Sequence, residues 1–334
     1  MELDGINRQF YACAISSGTV RMSAIVNVVL PIFGLILAGY VCRRSGRLGE
    51  AASNELSRFV VWLALPALLF NVTATARWEQ LWQPGFIASV CAGCALVFAA
   101  TVALRLRKSG RLVDASIDGL SAAYANTGFL GIPLCALVFG DAGLMPAIVA
   151  TLIVACLLFA VGIVLVEIGL QTEKRPLRAL AKVARALAAN PLLVAPVLGG
   201  LWAAGGAELP AAAARFLSLL GAAATPCALV SIGLFLAHKH EGRQQGATGL
   251  VLAKLLLQPA ITAFLAFRVF ELPALWAGSA LLLSALPTGT GPFMLASHYG
   301  RDAALVARVI LLTTVGSVVT VSICLNLLAS ALPA

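Results

Sequence analysis

Apolar stretches of about 20 residues, separated by short polar segments, recur from residue 23 to residue 331. A stretch of that length crosses the hydrocarbon core of a bilayer as a helix. The pattern predicts ten spans: 23–42, 57–76, 84–104, 115–139, 143–169, 190–206, 212–237, 247–270, 273–298 and 302–331. The longest polar interval, 170–189 (LQTEKRPLRALAKVARALAA), predicts a short amphipathic surface helix. Residues 1–21 have no apolar core of the kind a signal peptide carries. They read as a disordered N-terminal extension, with Met22 a natural start at the first span.

Two spans are interrupted near their centres by poor helix formers. Span 4 contains Asn126-Thr127-Gly128-Phe129-Leu130-Gly131-Ile132-Pro133, and span 9 contains Pro287-Thr288-Gly289-Thr290-Gly291-Pro292. Proline lacks the backbone N–H and clashes with the preceding turn. Glycine costs about 1 kcal/mol relative to alanine inside a helix. A helix broken within lipid frees amides and carbonyls, so the broken part must face protein or a cavity.

The interruptions occupy corresponding places in two halves of the chain. NVVLPIFGLILAGY from Asn27 matches NPLLVAPVLGGLW from Asn190, and RFVVWLALPALLF with Pro66 matches LLGAAATPCALVS with Pro226. AYANTGFLGIPLCALVFGDAG from Ala123 matches SALPTGTGPFMLASHYGRDAA from Ser284, and every match recurs after roughly 160 residues. Each half holds five predicted spans, an odd number, so the second copy enters the membrane from the opposite side. The expected fold is all-α, ten transmembrane helices in two inverted five-helix repeats, 22–169 and 190–334, with 170–189 as linker. Paired Gly/Pro-interrupted spans in two such repeats point to a transporter's binding site. The half-helix N-termini there each carry roughly half a positive charge, which suits an anion.

Composition strengthens the membrane reading. Of 334 residues, 60% are hydrophobic and 11% charged, and mean hydropathy is +0.97. Soluble domains carry about 25% charged residues, enough to cover their surface. The net charge of +9 sits in short clusters between apolar runs, which excludes a nucleic-acid interface. Loops after odd-numbered spans carry 17 Lys and Arg, against 5 on the other side. The positive-inside rule then places the 170–189 loop in the cytoplasm and both termini in the periplasm of an inner-membrane protein. The eight cysteines lie mostly inside apolar runs. Cys91 and Cys94 have metal or redox spacing but no accompanying histidine, so they read as packing residues.

At the two breaks the chain resembles the auxin efflux carrier family, relatives of the plant auxin exporters. The motifs are NTGFLGIPLCALVFG (126–140) and ALPTGTGPFMLASHYG (285–300), with LALPALLF (63–70) and KLLLQPAI (254–261) in support. The resemblance covers 22–331. It implies that helices 4 and 9 cross, and that a scaffold of helices 1, 2, 6 and 7 carries a mobile unit of helices 3–5 and 8–10 in an elevator-like motion. It implies small organic acids as substrates, malonate- or malate-like carboxylates or auxin-like acids, Asn126 as the substrate-contacting asparagine, and Pro133, Pro287 and Pro292 as crossover prolines. A homodimer through the scaffold helices is expected. Two departures stand out: the cytoplasmic loop is only about 20 residues, and helix 3 has no acidic residue to serve as a carboxylate proton site.

The substrate-binding candidates are therefore Asn126, Thr127, Gly128, Pro133, Pro287, Thr288, Gly289, Thr290, Gly291 and Pro292. Tyr124, Ser121, Thr288 and Thr290 either donate to a carboxylate or satisfy freed backbone groups. Lys254, inside span 8, is either functional or a structural partner for broken-helix carbonyls. Asp118 either carries a coupling proton or complements the helix dipole. Arg308 either attracts anions or snorkels to the interface, and His298 reads as an interface residue. No metal or cofactor is expected. An intramembrane enzyme is disfavoured, because no H-E-x-x-H, no Ser/His/Asp grouping, no paired mid-membrane carboxylates and no phosphate loop occur. A sensor or scaffold without transport would need no pair of glycine-rich breaks. The competing carrier reading is a sodium-coupled symporter of the bile-acid type, which a sodium requirement would favour.

Overall fold

A computed structural model of the chain describes Pro31 and residues 34–49, 51–75, 82–171, 176–237 and 246–331. The proposed N-terminal extension, the Met22 start, most of the 76–83 loop and the two histidines at 238 and 240 lie outside the described residues. The described residues are mostly helical, with no strand among them. In chain order the helices are α1 (34–44), α2 (Ala52–Ala74), α3 (Pro84–Ser109), α4 (Leu112–Ala123), α5 (127–139), α6 (Leu144–Gly169) and α7 (Pro176–Ala189). They continue as α8 (Pro191–Ala204), α9 (Ala211–Leu236), α10 (Ala247–Val269), α11 (Ala274–Ser284), α12 (Gly291–His298) and α13 (Ala304–Ala331).

Six of these, α2, α3, α6, α9, α10 and most of α13, are long and apolar enough to cross a membrane. Of the four other predicted spans, the first is described only in part and the sixth is α8, an apolar helix of 14 residues. Predicted spans 4 and 9 are each divided, into α4 and α5 and into α11 and α12. Leu104, Leu137, Leu201, Phe216, Phe264 and Val319 are all more than half exposed. An apolar surface of that extent requires a lipid solvent. The chain is a multi-pass membrane protein.

Local chemistry explains several helix irregularities. Pro66, Pro133 and Pro259 each lie two residues beyond the end of a wide π-type turn, at Val60–Ala64, Thr127–Gly131 and Ala253–Leu257. Proline cannot donate to the carbonyl four residues back and its ring pushes that carbonyl away. The wider turn takes up the displacement without ending the helix.

Packing divides the helices into two groups. In one, α2 packs on α8 and α9, and α1 approaches α9. Small residues bring these backbones together: a Cβ at Gly39 would overlap the Val230 carbonyl, and one at Gly233 would overlap that of Ile36. Lipid supplies no hydrophobic drive between helices, so such close approach is what stabilises the group. Ser57 and Ser231 hydroxyls meet at 2.8 Å inside it. In the other group, α3, α4, α6, α10, α11 and α13 surround the crossing of the divided helices. Contacts between the groups include Phe235 against Phe293, with ring centroids 5.4 Å apart, and Trp62 against His298 at 6.0 Å.

Candidate functional site

The two breaks meet. Ala125 and Thr288 form an isolated antiparallel bridge, with Asn126 N–H donating to the Pro287 carbonyl at 2.9 Å and Gly289 N–H donating to the Tyr124 carbonyl at 2.9 Å. Each break thus satisfies the amides and carbonyls that the other exposes, as lipid demands. The first break is shorter than the sequence suggested. It comprises Tyr124, Ala125 and Asn126, and the chain is helical again from Thr127. Pro133 therefore lies inside α5 rather than in the crossing, and the wide turn at 127–131 accommodates it. The second break runs over 285–290, so Gly291 and Pro292 belong to the first turn of α12. Proline is tolerated there because that N–H has no intrahelical acceptor anyway.

Carbonyls at the ends of α4 and α11 are taken up by polar side chains from neighbouring helices. Gln258 of α10 donates from Nε2 to the Ala123 carbonyl at 2.9 Å. Lys254, four residues earlier on the same helix, donates from Nζ to the Ser284 carbonyl at 2.8 Å. Thr288 Oγ1 donates to the Ser121 carbonyl at 2.7 Å, and the Thr288 N–H is received by Thr313 Oγ1 at 3.1 Å. Lys254 and Thr288 thus each satisfy a carbonyl near the breaks, and the Thr288 hydroxyl is committed within the protein. Cys94 of α3 is buried beside Gln258, with Nε2 3.3 Å from its Sγ, and behaves as a packing residue. Among the described residues no cluster of side chains could hold a metal ion.

Close approach, not backbone handedness, explains the glycines of the second break. Neither Gly289 nor Gly291 has positive φ. A Cβ at Gly289 would lie 2.9 Å from Tyr124 Cε1, and one at Gly291 would lie 2.7 Å from Tyr124 Cζ. The Tyr124 ring therefore lies against both glycines, and it also packs edge-to-face with Phe159, with ring centroids 5.6 Å apart. Gly131 packs in the same way, since a Cβ there would meet Leu283 at 2.6 Å. Gly128 has room: a Cβ would make only an ordinary contact with Thr151, at 3.5 Å.

The candidates therefore fall into two sets. Thr127, Pro287, Thr288, Gly289, Gly291 and Pro292 are buried and build the crossing. Asn126 and Thr290 are half-buried and Gly128 is exposed. Asn126 and Thr290 occupy the N-cap positions of α5 and α12, yet neither side chain caps its own helix. Neither has a side-chain hydrogen-bond partner among the described residues. Asparagine is among the best N-cap residues and threonine a good one. Leu130 and Gly131 N–H both donate to the Asn126 carbonyl, and the first N–H groups of a helix have no intrahelical acceptor. Both half-helices thus present first-turn N–H groups and an uncommitted polar side chain, the elements that recognise an anion.

The charged candidates other than Lys254 lie away from the crossing. Asp118 pairs with Arg105 at 3.1 Å, and Arg105 also donates to the Gly246 carbonyl at 3.0 Å. Arg301 donates to Asp114 from Nη2 at 2.6 Å and Nε at 3.0 Å. Arg111, Asp114, Asp118, Arg301 and Asp302 line a cavity of about 350 Å³ beside α4. Its opposed charges give it no net preference for an anion. Arg308 is exposed on α13. His298 packs against Trp62 and Tyr299, and the Tyr299 hydroxyl donates to Glu167 at 2.5 Å and accepts from Asn190 at 3.4 Å.

Sequence reading missed Gln258 and the ring of Tyr124 as builders of the crossing. A signal for Gln258 was available: Lys254 and Gln258 are the polar pair at i and i+4 in the apolar run VLAKLLLQPAI.

Two broken helices crossing inside an apolar helical body are the arrangement in which membrane carriers build their sites. The chain matches the membrane transport protein family over residues 24–325, and it belongs to that family, the auxin efflux carriers. It is 31% identical over 316 residues to a protein of Rhizobium meliloti (strain 1021) named "Putative malonate transporter", covering 94% of this chain and 99% of that one. An uncharacterized transporter of Methanocaldococcus jannaschii is 28% identical over 316 residues, with coverage of 89% and 97%. An uncharacterized transporter of Escherichia coli (strain K12) is 26% identical over 308 residues, with coverage of 87% and 94%.

Proposed function

We propose that this protein is a secondary active transporter of small organic anions, of the malonate or malate class, in the inner membrane. The observation that carries the reading is the pair of N-cap residues, Asn126 and Thr290, that leave their own helices uncapped. A carboxylate placed between them accepts from the Asn126 amide, the Thr290 hydroxyl and the first-turn N–H groups of α5 and α12. The two half-helix dipoles, each about half a positive charge, supply the compensating field. A second carboxylate on the same small molecule suits the doubled arrangement, and the malonate name carried by the Rhizobium meliloti relative agrees with it.

The proposed architecture is ten membrane helices in two inverted repeats. Supporting it are the roughly 160-residue recurrence of motifs and the reciprocal bonds Asn126–Pro287 and Gly289–Tyr124, in which each repeat gives and takes one. Alternating access is an elevator-like movement of α3–α6 and α10–α13 against α1, α2, α8 and α9. The close packing within each group and the sparser contacts between them, two aromatic pairs included, favour sliding over internal rearrangement. Both termini are periplasmic on the basic-residue asymmetry, and two copies associate through the α2, α8 and α9 group.

The test is uptake of radiolabelled malonate by proteoliposomes containing the purified protein, with unlabelled mono- and dicarboxylates as competitors. Saturable uptake, competed by small dicarboxylates, is expected. Uptake no faster than in empty liposomes for every carboxylate tried would reject the anion reading.

A further inference from the structure

We infer that α7 is a docking surface for anionic phospholipids, held to the headgroups on the membrane face where α6 ends and α8 begins.

Chain geometry sets where α7 lies. Its 14 residues span about 21 Å, short of the roughly 30 Å hydrocarbon core. The helices before and after it are tied together. The Tyr299 hydroxyl donates to Glu167, near the end of the membrane-crossing α6, and accepts from Asn190, the N-cap residue of α8. The segment that carries α7 therefore leaves and re-enters the protein on one face of the membrane. Between those points α7 packs on both α6 and α8. A short helix tethered at both ends in this way lies along the surface.

Its two sides differ. Arg178 and Arg185 are exposed and two turns apart, so they share one side of the helix. Register assigns Lys182 to the same side, four residues after the first and three before the second. Leu187 is half-buried and packs against the hydrophobic core. It follows Arg185 by two residues, about 200° around the helix axis, so the basic side is turned away from the protein body. Leu180 and Val183 share the register of Leu187. A basic side opposite an apolar one is the pattern of helices that lie in a membrane surface and bind anionic lipid.

Charge selects the occupant. In sequence the run holds five basic residues, Lys174, Arg175, Arg178, Lys182 and Arg185, and no Asp or Glu occurs from 176 to 189. Among the described residues no carboxylate pairs with Arg178 or Arg185. Glu167, at the end of α6, already accepts from Tyr299. Basic clusters of this size on an amphipathic helix attract anionic headgroups, with about a fivefold gain in affinity for each Lys or Arg. Zwitterionic lipid offers no such net charge. Because α7 joins α6 of one packing group to α8 of the other, lipid bound there steadies the joint between the groups, and with it the contact of Asn190 with Tyr299.

The experiment follows thermal unfolding of the purified full chain in detergent while phosphatidylglycerol is titrated in. Phosphatidylcholine with the same acyl chains is the zwitterionic comparison. Wild type is set beside Arg178→Gln/Lys182→Gln/Arg185→Gln and beside Arg43→Gln/Arg44→Gln/Arg47→Gln, which removes the same charge from the end of α1 and the loop after it. Phosphatidylglycerol is expected to raise the wild-type melting temperature more than phosphatidylcholine does. Salt at about 1 M, where the Debye length is only about 3 Å, is expected to abolish the difference. The α7 variant is expected to need roughly a hundredfold more phosphatidylglycerol for half the rise, from three losses of about fivefold, while the α1 variant stays near wild type. A wild type that responds equally to the two lipids would overturn the inference. So would an α7 variant with the wild-type midpoint, or equal losses in the two variants, which would assign the effect to surface charge in general. Soluble glycerol 3-phosphate is expected to have no effect, and a rise equal to that from phosphatidylglycerol would make a free anion the occupant and overturn the lipid assignment. Should the triple variant not fold, Arg178→Gln and Arg185→Gln taken singly, each expected to shift the midpoint roughly fivefold, decide in the same way. None of these readouts needs a transported substrate, so failure of the anion reading leaves them intact.

Discussion

Replacing Gly289 and Gly291 by alanine should deform the crossing, and the size of the effect follows from the Tyr124 ring. The new methyl groups would sit 2.9 Å from Cε1 and 2.7 Å from Cζ, well inside van der Waals contact. The ring cannot easily retreat. Tyr124 is only 8% exposed and also packs edge-to-face with Phe159. Its backbone is tied by its own N–H to the Leu120 carbonyl at 2.8 Å and by its carbonyl to Gly289. Overpacking of this kind costs about 1–3 kcal/mol per site. Alanine returns up to about 1 kcal/mol of helix propensity, and only at Gly291, because Gly289 lies in the break. The double variant is thus expected to lose roughly 1–6 kcal/mol at the crossing. The assays are thermal unfolding and equilibrium binding of malonate by the purified protein. A double-mutant cycle of Gly291→Ala with Tyr124→Leu isolates the cause, since the smaller side chain makes room for the methyl group. A favourable coupling of about 0.5–3 kcal/mol is expected. Wild-type melting and binding in Gly289→Ala/Gly291→Ala, or strict additivity in the cycle, would refute the reasoning.

Three further expectations follow from the same geometry. Gln258→Leu strands the buried Ala123 carbonyl and should cost about 1–3 kcal/mol, read as a lower melting temperature; an unchanged one would remove Gln258 from the crossing's support. Arg301→Gln breaks a partly exposed ion pair with Asp114 and should cost no more than about 1 kcal/mol, so a collapse of folding on thermal unfolding would show that the pair does more than join neighbouring helices. Cysteines introduced at positions 79 and 180 of a cysteine-free background should label from outside and from inside the cell respectively, and labelling of 180 from outside intact cells would invert the topology.

Much of the membrane architecture was legible because lipid leaves so few options. Apolar length gave α2, α3, α6, α9, α10 and α13, and lipid's intolerance of unsatisfied backbone made the two Gly/Pro-rich breaks conspicuous. The extent of the first break was not legible. Thr127 to Pro133 reads as a helix breaker residue by residue, yet a single wide turn lets the helix begin before the proline. Propensity describes an ideal helix and is blind to that adjustment. The reason for Gly289 and Gly291 was also hidden, because it lies in a tyrosine some 165 residues distant in the chain. The roles of Lys254 and Gln258 required knowing which carbonyls the breaks free, and those become visible only when the two halves are assembled. Asn126 was legible as a candidate. Its failure to cap its own helix, which makes it available, was not.

The measurement that bears most directly on the anion site is equilibrium binding of malonate to purified wild type and Asn126→Ala, each first shown to unfold cooperatively at a similar temperature. The side chain of Asn126 has no hydrogen-bond partner among the described residues, so removing it leaves no new orphan and should spare the fold. If the amide donates to the bound carboxylate, its loss costs about 1.5–3 kcal/mol, a roughly ten- to hundredfold weaker dissociation constant. A folded Asn126→Ala protein that binds malonate as tightly as the wild type would contradict the assignment of the crossing as the anion site.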